Sequence, residues 1–198
     1  ILWMGWFGFN GGSQLAISGI ENADAVAKIF VNTNTAAAAG LITAMIVCKL
    51  WLGKTALNAS MNGALAGLVV ITADPLTPAP QIAIIYGALG GLIVPFAMSY
   101  IEKLGIDDAV GAISVHGVAG IVGLMLVPIL NVDASFLEQA IGVLAIGGFV
   151  FVTSYLVWWS LDKTIGIRVG DQEEIGGSDM WEAGTTAYPY FMRGHGEE

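Results

Sequence analysis

One histidine is the residue best suited to chemistry in this sequence. His116 is the only ionisable side chain between Asp108 and Asp133, inside a long apolar stretch. Ionisable groups at such a depth usually face a bundle interior or a water-filled path, so a functional role is the first hypothesis. Desolvation disfavours the imidazolium, and a neutral imidazole offers one donor and one acceptor nitrogen, which suits it to passing a proton. The alternative is a buried structural histidine held by one interhelical hydrogen bond.

Two carboxylates, Asp107 and Asp108, precede this histidine. In a continuous helix, Asp108 and His116 would lie about 12 Å apart along the axis and roughly 80° apart around it. Asp108 should therefore not orient His116 directly, and the partner of the histidine should come from another segment. Just before a helix, a carboxylate can cap free N–H groups. Alternatively, Asp108 holds neighbouring loops together at the cytoplasmic end.

Aromatic side chains crowd the first segment, which reads WMGWFGFNGGS over residues 3–13 and ends in Asn10 and Ser13. Rings at such positions commonly anchor a helix in the membrane interface. Alternatively, rings that face inward attract a cation, more strongly once water is removed, with the Ser13 hydroxyl nearby. The functional predictions are therefore an ammonium-sized recruitment site and an aromatic gate to a narrow pore.

The sequence offers little for enzyme or metal chemistry. A serine hydrolase that pairs Ser13 with His116 is one hypothesis, but the run Gly11-Gly12-Ser13-Gln14 has no glycine after the serine, as a nucleophile elbow would. Neither C-x-x-C nor H-E-x-x-H spacing occurs, and the single Cys48 is expected to be a small core residue. We therefore predict no enzyme activity, no metal and no cofactor.

The composition indicates that these residues belong to a membrane protein. Of 198 residues, 56% are hydrophobic and only 12% are charged, with a mean hydropathy of +0.74, far from the balance of a soluble domain. A helix needs about 20 mostly apolar residues to cross the hydrocarbon core, and backbone that faces lipid is expected to be helical. We predict an all-α, polytopic transmembrane helical bundle. Its six candidate spans are the intervals without Asp, Glu, Lys or Arg at 1–20, 29–48, 55–73, 75–101, 109–132 and 139–161.

The basic residues predict which loops face the cytoplasm. If the chain alternates sides, one side carries only Lys28, and the other carries Lys49, Lys54, Lys103, Lys163, Arg168 and Arg193. The positive-inside bias then assigns the loops at 49–54 and 102–108 and the C-terminal tail to the cytoplasm. The net charge of -9 does not oppose this, because acidic residues contribute little to orientation. We expect a multi-pass protein of the cell inner (plasma) membrane, surrounded by a lipid bilayer and without a nucleic-acid partner.

Gly and Ala recur at three- and four-residue spacing in NTNTAAAAG at 32–40, NGALAGL at 62–68, GALGGL at 87–92 and HGVAGIVG at 116–123. Small residues let membrane helices approach closely, so the pattern predicts a tight bundle. The chain begins at Ile1, inside an apolar segment that has no basic leader. We expect a fragment of a longer protein, and this segment does not fit a signal peptide.

Five motifs follow one another along the chain: GWFGFNGGS at 5–13, NTNTAAAA at 32–39, NGALAGLVVITA at 62–73, DDAVGAISVHGVAGIVG at 107–123 and GIRVGDQEEIGGSD at 166–179. In that order they closely resemble the ammonium transporter family (Amt/MEP/Rh), over essentially the whole chain. The family is an eleven-helix trimer in which two inverted five-helix repeats enclose one pore per subunit. The resemblance implies helices six to eleven, with a transmembrane domain at 1–166 and a cytoplasmic tail at 167–198.

The resemblance also implies roles for individual side chains. His116 resembles the second histidine of the twin-histidine pair that relays protons, and Trp6 resembles a pore-lining tryptophan. Phe9 resembles one of two stacked gate phenylalanines, and Ser13 resembles the hydroxyl of the external recruitment site. The first histidine and the other gate phenylalanine would then lie outside this chain.

Asp108 and Asn10 are implied as structural supports of the pore. Family members commonly carry Asp and Phe in the stretch before the histidine, where this chain has Gly111 and Ile113. These two departures concern local helix packing and the rate of transport.

The mechanism implied by the resemblance is ammonium transport. Ammonium is recruited outside and loses its proton, and ammonia and the proton cross a hydrophobic pore separately, with the histidines as relay. Neutral ammonia is the easier species to move, because dehydrating a cation in an apolar pore is costly. The implied partners are ammonium or ammonia, further copies of the chain in a homotrimer, and a PII-type regulatory protein at the cytoplasmic face. The alternative is a transporter-like ammonium sensor coupled to a cytoplasmic signalling output.

Overall fold

The structure, a computed structural model, describes residues 1–185, and all the regular secondary structure in that range is helical. This confirms the predicted all-α class. In chain order the helices are α1 (Leu2–Gly12), α2 (Ile20–Leu52), α3 (Leu57–Thr72), α4 (Pro80–Lys103), a π-helical segment (Ile113–Val118) that continues into α5 (Ala119–Leu130), α6 (Phe136–Thr164), α7 (Asp171–Gly176) and α8 (Ser178–Glu182).

Each of the six predicted spans contains a helix, but only four are long and apolar enough to cross a membrane by themselves: Ile20–Leu52, Pro80–Lys103, Ile113–Leu130 and Phe136–Thr164. The predictions at 1–20 and 55–73 are wrong in length, since α1 has 11 residues and α3 has 16. The first segment is interrupted because Leu15 and Gly19 adopt positive φ values of 61° and 84°, which no α-helix accommodates.

The chain divides into two compact units, Ile1–Ala145 and Ile146–Glu198, and the second is described as far as residue 185. In the second unit, Arg168 donates from Nη2 to both carboxylate oxygens of Glu174, at 2.8 and 2.9 Å. An exposed pair of this kind contributes about 1 kcal/mol at most. The domain boundary at residue 166 and the tail at 167–198 stay predictions, and residues 186–198 of that tail lie outside the described residues.

The core of the first unit is the mutual packing of α2, α3 and α4, where glycines bring backbones into contact. A Cβ on Gly91 would collide with the backbone of Gly40, and a Cβ on Gly40 would collide with the Gly63 carbonyl. A Cβ on Gly87 or Gly67 would likewise collide with backbone atoms of α2. The small residues therefore sit at the crossings themselves, and the predicted tight bundle is confirmed.

Hydrogen bonds join helix α2 and the connections that follow α3 and α5 at one end of this unit. The Asn32 amide in α2 donates to the carbonyls of Pro75 and Pro78, at 2.9 and 2.8 Å, in the loop after α3. The Asn131 amide, just after α5, donates to Asp74 Oδ2 in the same loop at 3.4 Å. The N-terminal half of α2 and the ends of α3 and α5 thus lie at the same end, as the alternating arrangement of spans requires.

Candidate functional site

His116 lies in the π-helical segment, which the sequence analysis did not predict. Single π turns are rare and are frequently found at functional sites. The segment follows Gly111, whose φ of 75° favours glycine. A Cβ on Gly111 would also lie 2.7 Å from Nδ2 of Asn62. Both the backbone and the neighbouring amide therefore explain this departure from the family pattern, whereas nothing in the structure explains Ile113.

Asp108 lies before this segment and takes the capping role. Its Oδ1 accepts the Ile113 N–H at 2.9 Å, and its Oδ2 accepts both the N–H and the hydroxyl of Ser114, at 3.0 and 2.8 Å. Residues 108–111 form a turn, closed by a bond from the Gly111 N–H to the Asp108 carbonyl. The assumption of a continuous helix from Asp108 to His116 is therefore wrong, and the capping prediction is confirmed.

The hydrogen bonds also set the charge of this carboxylate. Partial burial raises the pKa of Asp108, but the bonds donated by Ile113, Ser114 and Ala112 outweigh it, so the pKa lies below its usual value. Asp108 thus stays ionised at neutral pH, with its charge directed at the start of the segment that carries His116. A negative charge in this position also interacts favourably with the positive end of the helix dipole.

Three of the predicted site residues share one cavity. The imidazole of His116 stacks nearly parallel to the Trp6 indole, with ring centroids 6.1 Å apart and an interplanar angle of 12°. The Trp6 ring also meets the Phe9 ring, at 5.7 Å and 55°. These rings line an open cavity of about 510 Å³. The other residues of its lining are mostly apolar and comprise Ile1, Leu2, Gly5, Val69 and Thr72.

His116 is exposed in this chain, so the expectation of a buried histidine is wrong for residues 1–185. Within that range the lining of the cavity comes from Ile1, one face of α1, the end of α3 and the π-helical segment alone. Phe9 is likewise 63% exposed. The rings and the imidazole therefore form one open wall, which faces away from the core of the unit.

Behind this wall, hydrogen bonds fix the Trp6 indole. Its Nε1 donates to Thr72 Oγ1 at 2.8 Å. The single proton of the Thr72 hydroxyl has two acceptors, the Leu68 carbonyl at 2.6 Å and Asn10 Oδ1 at 3.2 Å. Asn10, only 1% exposed, donates in turn to Thr33 Oγ1 at 3.0 Å. Asn10 thus links α1 to both α2 and α3.

Thr33 and Thr72 were not predicted as site residues, although both lie inside motifs that resemble the family, NTNTAAAA and NGALAGLVVITA. The available signal was a hydroxyl in a run of small and apolar residues, because a polar side chain in a membrane helix needs a partner. The partner itself could not be read from the sequence, since it depends on how α1 is rotated against α2 and α3.

Ser13 lies apart from the cavity lining. It follows the last residue of α1, is exposed, and donates its hydroxyl to the Phe9 carbonyl at 2.9 Å. Seven residues along the chain separate Ser13 from Trp6, about 10 Å by helical rise, and Trp6 is the residue that stacks on His116. The hypothesis of a serine hydrolase is therefore unsupported, because the hydroxyl and the imidazole do not form a hydrogen-bonded pair in the described structure.

In the part of the chain that the structure describes, no cluster of three or more His, Cys, Asp or Glu side chains could hold a metal ion. Cys48 is fully buried in α2, as expected of a small core residue.

The sequence is similar to known membrane transporters. The family model described as the Ammonium Transporter Family matches residues 1–188. Ammonium transporter Amt2 of Archaeoglobus fulgidus is 38% identical over 213 residues, which cover 97% of this chain and 44% of that protein. The ammonium transporter of Bacillus subtilis is 32% identical over 204 residues, which cover 95% of this chain and 49% of that protein.

The fold is similar to two solved structures. A structure titled Sensor Amt Protein matches with a TM-score of 0.83 and 34% identity, over 92% of this chain and 47% of that one. The crystal structure of Candida albicans Mep2 matches with a TM-score of 0.72 and 27% identity, over 87% of this chain and 42% of that one.

The chain spans somewhat less than half the length of these relatives. The curated relatives are named as transporters, which confirms the prediction that the chain is not an enzyme. Since a single family model covers the chain from the aromatic segment through the histidine motif and beyond, this chain belongs to the ammonium transporter family.

Proposed function

We propose that the protein to which this chain belongs transports ammonium across a membrane. Ammonium is recruited on the outer side and loses its proton, and ammonia and the proton then pass a hydrophobic pore, with His116 as a proton relay. One observation carries the proposal: the imidazole stacks on Trp6 in a mostly apolar cavity that also holds Phe9. Membership of the ammonium transporter family supports it.

The chemistry of the cavity supports ammonia, rather than ammonium, as the species that passes His116. An apolar lining cannot replace the water that a cation would lose, so the neutral molecule meets the lower barrier. The only N–H of the Trp6 indole is engaged by Thr72. Trp6 therefore offers a ring face to the passing molecule, and the imidazole is the titratable group of the cavity lining.

The other predicted roles follow the course of α1. Phe9 is one turn from Trp6 and largely exposed, so its ring is free to act as a gate and to attract a cation through its face. Ser13, at the end of α1, is proposed to offer its hydroxyl to ammonium before the gate. Asn10 and Asp108 support the pore through hydrogen bonds, Asn10 behind Trp6 and Asp108 before His116.

The test is ammonium-driven current in proteoliposomes that hold the protein encoded by the complete gene. The wild type should carry current, and His116→Ala should lower it by about 100-fold, the order expected when a proton-transfer group is lost. Trp51→Leu is the control, because Trp51 packs on Phe96 at 4.8 Å, away from the cavity lining, and should leave the current unchanged. A wild type without ammonium current would overturn the proposal.

A sensor is the second candidate function, and the similarity to the structure titled Sensor Amt Protein favours it. In that case ammonium binding would drive a cytoplasmic signalling output. The complete gene separates the two functions, since an output domain encoded beyond residue 198 is required for a fused sensor. Ammonium-dependent output from a protein that carries no current would favour sensing over transport.

The remaining predictions concern assembly and topology. We propose a homotrimer in the cell inner (plasma) membrane, with Lys49, Lys54 and Lys103 in cytoplasmic loops and a cytoplasmic tail at 167–198 that binds a PII-type protein. The mass of the detergent-solubilised protein tests the trimer. Protease accessibility of the tail in right-side-out and inside-out vesicles tests the orientation, and co-purification with a PII-type protein tests that partner.

A further inference from the structure

A buried serine two residues before His116 has an unusual hydrogen bond. Ser114 is 0% exposed, and its hydroxyl donates to Asp108 Oδ2 at 2.8 Å. Serine hydroxyls within helices commonly donate to the carbonyl four residues earlier. Ser60 and Ser160 do so here, to Ala56 at 2.7 Å and Leu156 at 2.7 Å. Ser114 instead reaches back six residues to a charged group.

Three donors from Ile113 and Ser114 therefore converge on one carboxylate. The Ser114 N–H and hydroxyl share Oδ2 of Asp108, and the Ile113 N–H takes Oδ1. The two N–H groups belong to the first residues of the π-helical segment, which runs from Ile113 to Val118. Hydrogen bonds to an ionised acceptor are about twice as strong as neutral ones. The start of the π-helical segment is thus held by charge-assisted bonds from both its backbone and a side chain.

The register of the π-helical segment bears on the direction of every side chain that follows its start, including the imidazole of His116. A π turn holds more residues than an α turn, so a segment that changes from one form to the other rotates every later side chain around the axis. His116 is two residues beyond Ser114, and its ring lies within 12° of parallel to Trp6. We propose that Ser114, through its hydroxyl bond to Asp108, is a positioning residue that fixes the π-helical register and thereby holds His116 against Trp6.

This inference rests on the proposed transport function only for its consequence in current, because the orientation of the ring can be measured without transport. The protein encoded by the complete gene is purified with ¹³C-labelled histidine side chains, and His116→Gln identifies the His116 signals. In the wild type, the stacked Trp6 ring should shift the imidazole protons of His116 upfield. Ser114→Ala should move these signals toward their unstacked positions.

In proteoliposomes Ser114→Ala should also lower the ammonium current by about tenfold, since a misplacement of about 1 Å at a reacting group costs up to ~100-fold. Ser114→Thr, which keeps the hydroxyl, should restore both the signals and the current. Ser60→Ala is the matched control, because it removes another buried hydroxyl whose bond is to its own helix, and it should change neither. If Ser114→Ala does not fold, Asp108→Glu, which displaces the carboxylate by one methylene, is expected to shift the same His116 signals.

A Ser114→Ala protein that is merely less heat-stable, with wild-type His116 signals and current, would overturn the inference. A wild type that carries no current, while Ser114→Ala still shifts the His116 signals, would overturn the proposed transport function and leave the positioning role supported. Unchanged signals in such a silent protein would overturn both.

Discussion

The first unit combines two regions with opposite designs. Where α2, α3 and α4 cross, Gly40, Gly67 and Gly91 bring backbones into direct contact and leave no space for a methyl group. At the cavity, the Phe9 ring and the His116 imidazole are exposed, and the Trp6 indole is held from behind by Thr72, whose hydroxyl also reaches Asn10. The helix crossings depend on glycines, which have no side chain to keep the backbones apart. The cavity depends instead on individual hydrogen bonds.

This difference determines how each region should respond to substitution. Overpacking a backbone contact forces the helices apart, so a crossing substitution acts on the stability of the whole unit. Removing a hydrogen bond behind a ring leaves the crossings intact, so a cavity substitution acts on function with a smaller cost in stability. Variants of both regions, measured in the protein encoded by the complete gene, can break or sharpen this contrast.

The largest effect is expected for Gly91→Ala. The added methyl group would collide with the Gly40 backbone, which cannot rotate away as a side chain would. Destabilisation of about 3 kcal/mol, or failure to fold, is expected. Thermal unfolding in detergent measures it. Gly142→Ala is the control, because nothing lies within 4 Å of that Cβ, and its stability should match or exceed the wild type. Equal stability of both variants would contradict backbone contact at the crossing.

The next effect is expected for Asn10→Ala, which removes the amide that links α1 to α2 and α3. The hydroxyl of Thr33 loses its donor, and a small cavity is left in a fully buried place, so a loss of about 2 kcal/mol is expected. Asn34→Ala, at an exposed position of α2, serves as the control and should cost less than about 0.5 kcal/mol. A similar loss in both variants would remove Asn10 from its supporting role.

A smaller loss of stability is expected for Trp6→Phe, which keeps a ring but deletes the indole N–H. Thr72 can still donate to Leu68, so the cost is about 1 kcal/mol. The ammonium current should fall more than the stability suggests, because the ring that stacks on His116 loses its anchor. Trp51→Phe is the control, with an exposed ring outside the cavity lining. Wild-type current in Trp6→Phe would show that the anchor does not matter.

The sequence was sufficient for features that depend on composition and order. Each charge-free interval contains or overlaps a helix, four of which are long and apolar enough to cross a membrane, and the small-residue segments contain Gly40, Gly67 and Gly91. Lengths were harder to predict, because the break after Gly12 arises from backbone geometry at Leu15 and Gly19 rather than from polarity. The sequence stays apolar on both sides of this break, so composition alone does not reveal where the helix ends.

The details of the site depended on features that no periodicity reports. His116, Trp6 and Phe9 stand out in the sequence, since a titratable group and aromatics are conspicuous in an apolar chain, and the structure brings them to one cavity. The π-helical segment and the bonds of Thr72 do not stand out, because both depend on which groups face one another after the helices pack. The partner of a hydroxyl depends on how each helix is rotated about its own axis, and hydropathy carries no information about that rotation.

The smallest effect is expected for Asp108→Asn, which removes the charge that caps the π-helical segment and changes how stability depends on pH. Because the folded-state pKa of Asp108 lies below its unfolded value, the carboxylate stabilises the fold above an unfolded pKa of about 4. That stabilisation is lost as the pH falls through the folded-state pKa. Asp108→Asn lacks it at every pH, so the difference in Tm between wild type and variant should be greatest near neutral pH and should close below about pH 4.

Asp107→Asn is the matched control for this measurement, because it removes a neighbouring negative charge and leaves intact the bonds that Ile113 and Ser114 donate to Asp108. Subtracting its melting curve isolates the contribution of the capping bonds from the general effect of acid on the protein. A Tm difference for Asp108→Asn that stays constant from neutral pH into the acid range would mean that the charge of Asp108 contributes nothing. The cap would then act by shape alone, as the glycine crossings do.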